Sequence, residues 1–201
     1  MTDVASTREF EGLQIPAAGT YQLDAAHKRV GFVVRHLMVS KVRGHFGTFN
    51  GVVTIAENPL ESRVEATVDT TSITTNDEGR DQHLRSADFF EVEKYPTMTL
   101  RSSGVEQRGS DFVLHADLTI RGITRQVELD LEFDGVANDP WGGTRAGFTA
   151  STEISRKDFG LEWNAALETG GVVVGDKVKI VIEAELIKDS APAETTAVEG
   201  S

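Results

Sequence analysis

Between Phe112 and Asp134 apolar and polar side chains alternate, with one break. Ile123, Val127, Leu129, Leu131 and Phe133 share one face, and Thr124, Gln126, Glu128, Asp130, Glu132 and Asp134 share the other. A period of two over such a length describes a β-strand with one wet side and one buried side. Phe112, Leu114, Ala116, Leu118 and Ile120 repeat the pattern just before it. The dipeptide Arg121-Gly122 between the two runs predicts a tight hairpin.

The same period recurs along the chain. Val30, Phe32, Val34 and His36 share a face, as do Phe49, Gly51, Val53 and Ile55. Val64, Ala66 and Val68 form another set, followed by Met98 and Leu100. Ala146, Phe148, Ala150 and Ile154 precede a last run of Val178, Ile180, Ile182, Ala184 and Leu186. With Tyr21 to Asp24 this makes about eight or nine strands. One helix signal stands out, at Asn76 to Ser86, with Asn76 or Asp77 as its cap. One short helix cannot cover so large an apolar face, so the sheet must close on itself as a sandwich or a barrel. A barrel of about eight strands is just wide enough to be filled by side chains or to hold one ligand. Many inward positions are small (Gly51, Ala66, Ala116, Ala146, Ala150, Ala184), whereas the phenylalanines are spread over several strands. The apolar, glycine-bearing stretch Phe159 to Gly175 suits a lid over a barrel mouth, with a buried crossing or a dimer patch as the alternative.

The ends read as tails, residues 1–14 and 189–201, leaving a single domain at 15–188. The 201 residues contain no cysteine, which removes disulfides, thiolate nucleophiles and Cys-type zinc sites from consideration. A net charge of -12 argues against nucleic acid as a partner. Met1 to Ile15 has neither the basic start nor the apolar run of a secretory signal, and no apolar stretch is long enough for a membrane-spanning helix. The expected setting is therefore cytoplasmic.

Several stretches together resemble the YceI-like polyisoprenoid-binding family. They are Tyr21–His27, Gly31–Leu37, Val42–Gly51, Arg80–Phe90, Lys94–Met98, Leu118–Thr124, Ser155–Gly160 and Val174–Val178, in colinear order across the domain. The resemblance implies an all-β fold, an extended lipocalin-like antiparallel β-barrel of about eight strands with one short helix. It implies an apolar channel for a polyprenyl chain or a quinone tail, and a homodimer. Many family members also carry a secretory signal.

A prenyl chain has no hydrogen-bonding groups, so its site should be apolar with a few polar anchors. The expected ligand-binding residues are Phe32, Val34, His36, Phe49, Val53, Met98, Leu100, Leu114, Leu118, Phe148, Ala150, Phe159, Leu161, Trp163 and Leu167, with Arg80, Asp81 and His83 as further polar candidates. Each polar group also has a structural reading. His36 could bond a backbone carbonyl in the core, and Arg80 with Asp81 could fix the helix to the barrel rim. Catalysis finds little support, since there is no Gly-x-Ser-x-Gly elbow and no His-x-x-x-His pair. The sequence therefore reads as a non-enzymatic binding protein for an apolar lipid, without a cofactor. Its alternatives are a filled-barrel structural or stress-response interaction protein, and a metal, haem or small-molecule site built on His36 and His83.

Overall fold

In a computed structural model, the described residues are 7–37, 39–138, 140, 143–166 and 172–188. In chain order the strands are β1 (Thr7–Phe10), β2 (Leu13–Pro16), β3 (Gly19–His36), β4 (Ser40–Phe46), β5 (Phe49–Ile55), β6 (Arg63–Asp69) and β7 (Ile73–Thr74). After helix α1 (Glu78–Arg85) come β8 (Thr97–Arg108), β9 (Asp111–Ile120), β10 (Ile123–Asn138), β11 (Thr144–Ser155) and β12 (Val174–Lys188). The barrel runs β3–β5–β6–β8–β9–β10–β11–β12 and closes where β12 pairs with β3, every ladder being antiparallel. Of the sandwich and the barrel that the alternation left open, this is the barrel, as the family resemblance implied. β4 continues the line of β5 along the same flank of β3 and carries the two-residue β7 on its outer side.

The inward side chains follow the alternating pattern, with the pleat reset at three irregularities. In β3, Tyr21 and Leu23 face in at odd positions, and Val30, Phe32 and Val34 face in at even ones. The switch falls at Asp24–His27, where the β3–β12 register slips between Leu23 and Lys28. In β8 the inward set passes from Met98 and Leu100 to Val105 across the register shift at Ser102/Gly104. A third shift lies between Phe133 and Gly135 in β10. Extra residues of this kind bend and twist a strand, which helps a long sheet to curl shut.

The Arg121-Gly122 turn forms as expected, pairing Ile120 with Ile123. Both turn residues have positive φ, +50° and +73°, as the favoured two-residue hairpin turn requires. Helix α1 is capped by Asp77, whose carboxylate accepts from the Arg80 amide, while Asn76 precedes it in a left-handed conformation.

The amino-terminal stretch departs from the sequence reading. Residues 7–14, expected as tail, belong to the β1–β2 hairpin, with Ile15, Pro16 and Ala17 buried at its base. Short polar runs give little sequence signal, and the anchoring here is tertiary. Arg8 donates to the carbonyls of Ala56 and Glu57, and the buried Tyr21 hydroxyl donates to the Ala17 carbonyl at 2.7 Å. Residues 189–201 lie outside the described residues.

Candidate functional site

Two apolar clusters flank the barrel interior. At the end near the β1–β2 hairpin, Tyr21, Ile55, Ala146 and Leu186 pack with Phe133 and Phe148. At the helix end, Phe46, Phe49, Ile73, Phe89, Met98, Ile120, Phe159 and Leu161 pack together, with Leu84 and Phe90 against them. Between these ends lies a cavity of about 270 Å³ that is not fully enclosed. Its wall is almost wholly apolar and draws on each barrel strand.

The cavity's shape follows from the strands. β12 alone contributes Val178, Ile180, Ile182, Ala184 and Leu186 to the wall, a span of about 26 Å at roughly 3.3 Å per residue. A modest volume spread over such a length makes a narrow bore. Small side chains keep it open, because Ala66, Ala150 and Ala184 sit where larger residues would fill it. On β4, Gly44 performs a related service. A Cβ there would stand 2.3 Å from the Phe32 ring, so glycine lets that wall residue lie flat against its neighbouring strand.

The structure distributes the expected site residues unevenly. Phe32, Val34, Phe49, Val53, Met98, Leu100, Leu114, Leu118, Phe148, Ala150 and Leu161 all line the cavity. Phe159 is buried in the helix-end cluster, and Trp163 packs against that cluster from outside. Leu167 lies outside the described residues. In the described part of the stretch expected as a lid, the Asn164 side-chain amide donates to the Val174 carbonyl and its oxygen accepts from the Val174 amide.

The polar candidates stand away from the wall. His36 ends β3, opposite Ser40 and Val174. Asp81 is 3% exposed and accepts from the Thr75 amide at 2.7 Å and from the hydroxyls of Thr75 and Thr74. Burial pushes its carboxyl up, but those hydrogen bonds and the Arg85 charge outweigh it and hold the carboxyl below its ordinary value. Arg80 donates to the Thr75 hydroxyl and carbonyl. Both residues thus tie α1 to the segment after β7, through Thr75 rather than through a salt bridge to each other. His83 bonds Asp88 at 2.8 Å and packs edge-on against Trp163 and Phe89, behind the cavity wall.

Several wall residues were absent from the expected site, Leu23, Phe46, Phe89 and Ile180 among the apolar ones, and one of them is a buried cation. Arg156, in the turn after β11, is 4% exposed and borders the cavity. Its guanidinium donates to the carbonyls of Gly175 (3.0 Å), Trp163 (2.9 Å) and Leu161, with the Asp176 carboxylate 3.5 Å away. Burial pulls its pKa down, and Asp176 opposes that shift. The signal was present, since Phe148, Ala150 and Ile154 face inward and the same parity continues to Arg156.

His36 and His83 do not form part of a common ligand cluster. Among the described residues, the group that brings three potential metal-ligating atoms within 4.8 Å of one another is Asp24, His27 and Glu185, on the outside of the β3 bulge. The Arg145 guanidinium already bonds both of those carboxylates. No helix among the described residues is long and apolar enough to cross a membrane.

A closed antiparallel barrel wrapped around a narrow apolar bore defines a lipocalin-like class of protein. Within that class the chain belongs to the YceI-like family, whose domain model matches residues 21–186. Protein YceI of Escherichia coli O17:K52:H18 is 43% identical over 148 residues, covering 72% of this chain and 78% of that protein. The crystal structure of Burkholderia cenocepacia BcnA superposes with a TM-score of 0.69 at 22% identity, over 81% of this chain and 98% of the other. A polyisoprenoid binding domain from Saccharophagus degradans, implicated in plant cell wall breakdown, superposes at 0.65 with 16% identity, over 86% and 100%.

Proposed function

We propose that the barrel stores or carries a long isoprenoid-type molecule, a polyprenyl chain or a quinone tail, with the chain threaded along the bore. The observation that carries this reading is the bore itself, a long, narrow and almost wholly apolar cavity. Removing apolar chain from water yields about 25 cal/mol per Å², and such a chain asks for no directional partner along its length. A long apolar bore fits a long apolar chain. The polyisoprenoid binding domain with the same fold supports the choice of ligand class.

Arg156 fits the role of polar anchor. It is the buried cation of a mostly apolar wall, Arg63 being exposed, and it is already desolvated, oriented by backbone carbonyls, and suited to a quinone carbonyl or a prenyl phosphate. A hollow interior also counts against the filled-barrel alternative.

The test is native mass spectrometry of the purified protein, followed by solvent extraction and identification of whatever leaves with it. A prenyl lipid in stoichiometric amount is the expected result. Ala150→Phe, which puts a ring into the bore, should yield a folded protein that no longer retains the lipid. A protein that is ligand-free when purified, and that takes up no prenyl lipid on titration, would end this reading.

A further inference from the structure

Against an excess of acidic residues in the whole chain, 32 Asp and Glu to 20 Lys and Arg, one outer face of the barrel is basic. Arg35, Lys41, Arg43, Lys177 and Lys179 line a shallow groove across β4, β3 and β12, with Glu153 and Asp176 at its margin. Asp176 is paired with Lys157 and Glu153 with Lys177. Arg35, Lys41, Arg43 and Lys179 form no ion pair with any described residue.

Lys179 stands directly opposite Glu153 across the β11–β12 ladder, but the fold does not explain the other three cations. Arg35 and Lys41 are direct cross-strand partners, and Val33 is flanked by Arg43 on one side and Lys179 on the other. Like charges directly opposite one another destabilise a ladder. An anionic chain that gathers its cations here, at some cost to the sheet, presents them to something negative.

The neighbouring tip says what kind of surface that is. The β3–β4 turn carries Leu37, 37% exposed and held at φ +51°, and Val39, 84% exposed. Beside it stands Val172, 37% exposed, and the Leu37 amide donates to the adjoining Val173 carbonyl at 2.8 Å. Apolar side chains projecting from one end and flanked by unpaired cations match the two layers of an anionic membrane surface. Apolar groups enter the boundary of the acyl region while Lys and Arg meet the head groups. The groove also adjoins the bore, since Val34 borders both.

We infer that the β3–β4 tip, with the basic groove formed by Arg35, Lys41, Arg43 and Lys179, docks the barrel reversibly on an anionic lipid bilayer. Net charge sets the long-range repulsion, but local charge decides which face approaches a membrane. The inference holds whatever occupies the bore, and its test does not depend on cargo.

The experiment is co-sedimentation of the full chain with vesicles of phosphatidylcholine alone, or of phosphatidylcholine mixed with phosphatidylglycerol, at low and high salt. The protein should partition onto the phosphatidylglycerol vesicles, release as salt rises, and ignore the neutral ones. Lys41→Glu should weaken partitioning by about tenfold or more, while its thermal midpoint holds or rises because the new carboxylate faces Arg35. Val39→Ser should weaken binding without changing its salt dependence. Arg43→Gln and Lys179→Gln read the same quantity should Lys41→Glu lower stability. Equal binding to both vesicle types would overturn the inference, as would binding unchanged by these variants or no binding at all. Capture of poly-glutamate in place of vesicles, with loss in the same variants, would reassign the groove to an acidic protein.

Discussion

Arg156 is held chiefly by backbone carbonyls, so its loss would do more than remove a charge. In Arg156→Leu the carbonyls of Leu161, Trp163 and Gly175 lose their donor, and a buried polar group left unpaired costs about 1–3 kcal/mol. Urea unfolding should show a loss of about 2–4 kcal/mol, with the extracted lipid reduced as well. The pair at the β3 bulge behaves differently, because it titrates. The hydrogen bond from His27, then the Ala26 amide, with a lesser share from Arg145, bring the Asp24 carboxyl down to about 2, while burial opposes them. The same bond with Asp24, and the charge of Glu185, raise the His27 pKa. A raised histidine stabilises fully below its unfolded value of about 6.5 and loses that contribution as pH climbs through the folded value. The depressed Asp24 contributes above about pH 4 and loses its contribution as pH falls toward 2. His27→Gln should therefore lower the urea midpoint at pH 5.5, and the difference should shrink as pH climbs through the raised His27 value.

At the scale of elements, the β9–β10 hairpin depends on its turn. A Cβ on Gly122 would come within 3.1 Å of the Tyr95 ring, at a φ of +73°. Gly122→Ala should cost about 1–2 kcal/mol, read as a lower midpoint with an unchanged slope in denaturant unfolding. The hairpin was legible because period two on both sides and Arg-Gly between them are local signals. For the same reason most of the bore was legible, since in a closed barrel the inward face of a strand is the cavity wall. Phe49, Val53, Leu114, Leu118 and Ala150 could be assigned to the wall from parity alone. The bulge at Asp24–His27 was not legible, because an extra residue leaves no mark when both faces around it are mixed. Nor was the placement of His83, whereas Arg80 and Asp81 do hold their helix in place, as the structural reading of that pair allowed, but through Thr75. They sit on a helix whose orientation is decided by Thr74, Thr75 and Trp163, partners distant from any motif.

For the whole molecule, a ligand confined to the native bore must act as a stabiliser. Binding shifts unfolding by RT ln(1 + [L]/Kd), about 2.7 kcal/mol at a hundredfold excess over Kd. Stripping the protein with organic solvent and refolding it should lower the thermal midpoint, and adding back a prenyl lipid should restore it while a short-chain analogue does not. Differential scanning calorimetry decides between these outcomes.

The ladder between β3 and β12 joins the first long strand to the last of the described residues. As the chain leaves the ribosome, β3 has an unsatisfied flank until the final strand has emerged, so the wall stays open for most of synthesis. A product that stops short of Val174 would expose two raw ladders, on β3 and β11, and oil between them. Such fragments should clump rather than persist, which makes completion of the last fifteen-residue strand the step that turns a sticky ribbon into a vessel.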